Sequence, residues 1–96
     1  MTALLVVLAV LLGRPVLLEL HAGWCAACRV VDAGTLRDPR VRRLPLVRID
    51  ISDDDEPARR LGITALPAFV VLRADGRRTT LVGTVTPEEL LRAAAP

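Results

Sequence analysis

The stretch HAGWCAACRVVD, residues 21–32, holds both cysteines of this 96-residue chain, Cys25 and Cys28, with two alanines between them. The run before it, PVLLEL (15–20), is apolar except for Glu19 and has proline only at its first position. That pattern suits a buried strand. Ala22, Gly23 and Trp24 break the strand, and residues 26 to about 36 can form a helix with Val30 and Val31 expected to face inward. Cys25 then stands at or near a helix N-terminus. Partial positive charge and free N–H groups there stabilise a thiolate, the form of cysteine that attacks disulfides. Two intervening residues let the sulfurs meet across one helical turn. The pattern points to thiol–disulfide exchange, with Cys25 the exposed attacker, Cys28 the buried resolving thiol and Trp24 covering one side.

Working outward, RDPRVRRLP (37–45) is polar and holds two prolines, so it reads as a connection with one short helical turn. LVRIDI (46–51) alternates apolar and polar residues and reads as a second strand. The acidic cluster at residues 53–56 favours a helix start, Pro57 is acceptable in a first turn, and Gly62 fits a C-terminal cap. AFVVLR (68–73) is a third strand, Asp75-Gly76 a hairpin signal and TTLVG (79–83) a fourth strand. In TPEELLRAAA, Thr86 is the expected N-cap, Pro87 the first helical residue and Glu89 the partner completing a capping box. The order β-α-β-α-β-β-α implies an α/β fold: one mixed four-stranded sheet with helices on both faces, its first crossover right-handed and its last two strands antiparallel.

A chain of this length forms at most one domain. The apolar fraction is 52% with one Phe, one Trp and no Tyr, so the core is aliphatic. All 13 basic residues are Arg, but they are scattered, and a net charge of +2 gives no case for nucleic acid. The run ALLVVLAVLL (3–12) has three readings: a packed N-terminal helix, the end of a membrane span, or a short signal segment. It falls short of the ~20 residues a spanning helix needs, and it lacks a basic flank or cleavage site. Residues 1–14 are therefore read as an apolar helix or span end, and residues 15–96 as the domain. A zinc site normally takes four ligands. Here the pair has only His21 nearby, which reads better as a partly buried strand residue, so no metal is expected.

WCAAC after an apolar strand, LGITALPAFVVLRADGR and VGTVTPEELL together resemble the thioredoxin superfamily, across nearly the whole chain. More narrowly, LLELHAGWCAACRVVDAGTLRDPRV is similar to the C-terminal periplasmic domains of DsbD-type thiol:disulfide interchange proteins, in which Asp-Pro-x-Val follows the redox helix, as at residues 38–41. The resemblance implies a thioredoxin-like fold and a protein-disulfide reductase whose only redox group is its Cys25–Cys28 disulfide, with no cofactor. It makes Cys25 the nucleophile, Cys28 the resolving cysteine and Pro67 a cis-proline facing them. The Leu66 backbone would then pair with substrate, and Gly83 would admit it on the other side. Glu19 matches a buried acid that is usually Asp. A carboxylate there should titrate above the ~4.3 of a free Glu. The partners implied are protein disulfides and an upstream dithiol donor, membrane-embedded or not, met by a monomer in the bacterial periplasm. Membrane anchoring is one option and a cytoplasmic site the alternative. The rival function is a binding module whose Cys pair is redox-silent or shares a metal cluster between chains.

Overall fold

The computed structural model describes residues 2–95. β1 (Val16–His21) and β3 (Ala68–Leu72) form the centre of a four-stranded sheet, with β2 (Leu46–Asp50) and β4 (Arg78–Val82) at its edges in the order β2-β1-β3-β4. β3 is buried along its whole length, and β1 up to its last residue. Strands covered on both faces need no polar alternation, which is why VLLEL and AFVVL are nearly continuous apolar runs. The edge strands carry the Arg, Thr and Asp residues and are largely open to solvent.

β1 and β2 are parallel, joined through α2 (Ala26–Ala33), a 3-10 turn (Thr35–Arg37) and α3 (Pro39–Arg42). The remaining pairings are antiparallel. α4 (Glu56–Arg60) links β2 to β3, α5 (Pro87–Ala93) closes the chain, and α1 (Thr2–Leu12) precedes the sheet. The mixed four-stranded sheet, its parallel first pair and its antiparallel last pair are those expected from the sequence, and the structure adds the strand order.

Successive strand residues point to opposite faces, so each face has its own core. One core joins Leu18, Leu20, Val70 and Leu72 to Cys25, Cys28, Ala58 and Leu61, with Leu5 of α1 packed against it. The other joins Leu17, Phe69 and Val71 to Val31 of α2, Val41 of α3 and Leu90 of α5. Fully burying one such aliphatic side chain is worth ~1.5–3 kcal/mol.

Several details depart from the sequence reading. Val31 is 2% exposed but Val30 is 62% exposed. Neighbouring helical residues point about 100° apart, so a narrow buried face takes only one of them. α2 ends earlier than expected, at Ala33, and the polar connection holds two short turns where one was expected. Asp38 caps the second of these, its carboxylate accepting the Arg40 N–H at 2.8 Å. Asp55 makes no side-chain cap for α4; Glu56 instead accepts from Arg59 and Arg60. The Thr86–Glu89 capping box on α5 forms as expected. At the other end of that helix, Arg73 from the end of β3 donates to the Ala93 and Ala95 carbonyls, which lack helical partners. Among the described residues no helix is long and apolar enough to cross a membrane.

Candidate redox site

The site forms where the chain leaves the buried strand β1 and enters α2. Two contacts shape the bend between them. The Gly23 N–H donates to Ser52 Oγ at 2.8 Å, and the Arg29 guanidinium reaches back to the Gly23 carbonyl at 3.0 Å. Asp50 holds Ser52 in turn, accepting from both its N–H and its hydroxyl. The strap thus fastens the redox loop to the end of β2.

Cys25 is the N-cap of α2, in extended conformation, and its Sγ accepts the Cys28 N–H at 3.1 Å. A sulfur in that place takes a hydrogen bond from a helical N–H that otherwise has no partner. Negative charge there is favoured by the helix terminus. Cys25 and Cys28 are joined as a disulfide, with Cα atoms 5.3 Å apart. Both cysteines are buried, Cys28 at 2% exposed and Cys25 at 7%, so in the disulfide form Cys25 is not the exposed thiol that the sequence suggested. Trp24 stands open beside them at 69% exposure.

Trp24 and Leu66 line one cleft of about 470 Å³, together with Ile51 and Ile63. The Leu66–Pro67 bond is cis, and the Pro67 carbonyl accepts the Gly83 N–H at 2.9 Å. Gly83 has φ +97°, in the region that favours glycine. The structure thus brings Trp24 of the β1–α2 loop and Leu66 into one cleft, while Pro67, itself buried, ties the loop after β4 to the start of β3.

Glu19 has no exposed surface. Burial raises its pKa above the usual carboxylate value, even though the hydrogen bond and charge of Arg48 pull it down. Its Oε1 accepts from Arg48 Nε at 2.5 Å, and the Arg48 Nη2 donates to Asp32 Oδ1 at 2.8 Å. Asp32 lies four residues beyond Cys28, on the same face of α2. Sequence reasoning found the buried acid but missed Arg48 and Asp32. Arg48 is simply the polar member of an alternating strand, and only its register opposite Glu19 gives it a partner.

The comparisons agree with this geometry. The Thioredoxin family model matches residues 9–95. The chain is 46% identical to thiol:disulfide interchange protein DsbD 1 of Pseudomonas aeruginosa over 52 residues, covering 50% of this chain and 9% of that protein. It is 28% identical to thioredoxin of Pyropia yezoensis, covering 79% of this chain and 73% of that one. Among solved structures, the oxidised C-terminal domain of Neisseria meningitidis DsbD superposes with a TM-score of 0.79 at 25% identity, covering 94% of this chain and 86% of that one. The chain spans only about a tenth of the length of the DsbD proteins it matches, 9% and 12% in two of them. It belongs to the thioredoxin family, and with its Cys25–Cys28 disulfide it is a thiol:disulfide oxidoreductase of that family.

Proposed function

We propose that the chain works as a reductant of protein disulfides, in the manner of a DsbD-type C-terminal domain. The Cys25 thiolate attacks one sulfur of a substrate disulfide, and the other substrate sulfur leaves as a thiolate. A mixed disulfide now joins Cys25 to the substrate. Cys28 then gives its proton to the Glu19 carboxylate and attacks the Cys25 sulfur. The second substrate thiolate leaves, and the Cys25–Cys28 disulfide forms. Two electrons have passed to the substrate, and an upstream dithiol protein restores the reduced pair. The Leu66 backbone, Pro67 and Gly83 hold the substrate chain, and Trp24 walls the approach.

The observation that carries this reading is the placement of Cys25 Sγ at the α2 N-cap, accepting the Cys28 N–H. It stabilises a thiolate on Cys25, the slightly less buried of the two residues. The likeness to DsbD supports the reducing direction and a periplasmic setting. Residues 15–96 are the redox domain, acting as a monomer. α1 is its own packed helix, a reading supported by Ala9, which is fully buried. The test is turbidimetric reduction of insulin by the dithiol form, with Cys25→Ser and Cys28→Ser as controls. Both substitutions should abolish turnover, and retained turnover in Cys25→Ser would refute the assignment.

A further inference from the structure

α1 carries no charged residue between positions 2 and 12, so its sequence marks neither side as the one that faces water. Packing takes only a narrow stripe of it. Ala9 is buried, and Leu5 and Val6 are half-buried. Leu4, Val7, Leu8, Val10, Leu11 and Leu12 stay exposed. Steps of three and four along a helix bring such side chains together, so they form one continuous apolar face. Contiguous apolar surface of this kind marks a place that something covers.

The charge at the end of the helix indicates what covers it. α1 runs through Gly13 and Arg14 into β1, at the end of the sheet where Val16 lies opposite Leu72, and Leu72 opposite Arg78. Two clefts that share Arg73 and Arg77 open there. One, of about 280 Å³, is lined by Gly13, Arg14 and Pro15 together with Arg73, Asp75 and Arg77. The other, of about 470 Å³, adds Arg78 and Thr79. Four arginines therefore meet beside the last turn of α1, against one carboxylate among the described residues that line the clefts. That carboxylate, Asp75, is paired with Arg77, and Arg73 holds the carbonyls at the end of α5. The pole remains basic.

We propose that the exposed face of α1 and this arginine pole dock the chain on the surface of an anionic phospholipid bilayer. The apolar side chains enter the boundary between headgroups and acyl chains, and the guanidinium groups meet lipid phosphates, which they can hold bidentately. A second copy laid α1 against α1 offers apolar side chains but no negative charge for the pole. At 11 residues the helix is about 16 Å long, against ~30 Å for a hydrocarbon core, so it lies on the bilayer and does not cross it. The redox pair follows the opposite end of β1, six residues and roughly 20 Å away, and stays clear of the lipid. The inference is independent of the direction in which the disulfide passes electrons.

The test is co-sedimentation of the whole chain with vesicles, either phosphatidylcholine alone or an equal mixture with phosphatidylglycerol. The mixed vesicles should bind it more tightly, and salt should weaken that binding by screening. Arg77→Gln and Arg78→Gln should each weaken binding to the mixed vesicles by about fivefold and leave binding to phosphatidylcholine unchanged. Leu4→Gln with Leu11→Gln should weaken binding to both by about tenfold or more, with the rate of insulin reduction in solution unchanged. Trp24, the one tryptophan of the chain, reports the orientation. Brominated lipid should leave its fluorescence unquenched and quench the added indole of Leu11→Trp. If the double leucine variant fails to fold, the arginine variants and the quenching decide. Absence of binding to the mixed vesicles, equal binding to both kinds, or quenching of Trp24 overturns the inference. So does a stable dimer that forms without lipid and excludes vesicles, since the face is then covered by a second copy.

Discussion

At Glu19 two electrostatic effects oppose each other, and burial outweighs the Arg48 counter-ion, so its pKa in the fold lies above 4.5. The unfolded chain ionises at the ordinary value. Between the two pKa values the native state holds the proton and the unfolded state does not. Stability therefore falls as pH rises through that window, and the deficit persists above it. Glu19→Gln has no such deficit. The variant should be more stable than wild type at neutral pH, and its advantage should fade as the pH drops to about 4, near the unfolded pKa. Urea unfolding of the oxidised proteins across that range measures it, and equal stability at every pH would mean that Arg48 fully offsets burial. The cysteines differ by position in the same local way. In the reduced protein Cys25 should alkylate near neutral pH ahead of Cys28, because the helix terminus lowers its pKa and burial shields its partner. Cys28→Ser should accumulate mixed disulfides with substrate on non-reducing gels. Faster labelling of Cys28 would reverse the two roles.

Gly83 and Thr86 lie close together, between β4 and α5, yet should fail differently. Gly83 directly follows β4 with φ +97°, and its N–H fastens that loop to Pro67. An alanine there meets no atom within 4 Å, so its cost is backbone strain alone, roughly 1–2 kcal/mol. On the proposed function, the added methyl group also stands where substrate backbone approaches. Gly83→Ala should therefore slow disulfide reduction by more than its melting shift explains. Thr86→Ala removes one half of the α5 capping box and should cost ~1 kcal/mol. It should leave the reduction rate of the folded protein unchanged. Thermal melts paired with insulin reduction separate the two variants. Equal rates in both would remove Gly83 from the substrate surface.

For the molecule as a whole, α1 is the element that least resembles a surface helix. It carries no charge along residues 2–12, and Leu4, Val7 and Leu11 are 75%, 52% and 77% exposed. Its inner side is different: Ala9 is fully buried, and Leu5 packs against the core that holds the disulfide. Changing Leu4 and Leu11 together to Gln should alter stability by only about 0.5 kcal/mol each, and should lower any self-association seen by light scattering. Ala9→Glu places a charge without a partner against the sheet and should cost ~2–3 kcal/mol or more. A melting temperature unaffected by Ala9→Glu would show that α1 does not pack on the sheet in solution.

The features legible in the sequence were those set by residues close together along the chain. Cys25 and Cys28 open a helix after a buried strand because apolar run, break and helix follow one another directly. The capping box and the hairpin turn are likewise short-range patterns. The resemblance carried by WCAAC and LGITALPAF placed the cis bond at Pro67, far along the chain from the cysteines. What only the tertiary structure decided was pairing across the parallel crossover. The register that sets Arg48 beside Glu19, and the strap from Asp50 through Ser52 to Gly23, depend on how α2, the 3-10 turn and α3 pack together before β2 returns to the sheet. A shift of one residue in β2 would turn Arg48 to the other face. No local pattern in LVRIDI states which register holds, because that choice is made by burial on both faces of the sheet at once.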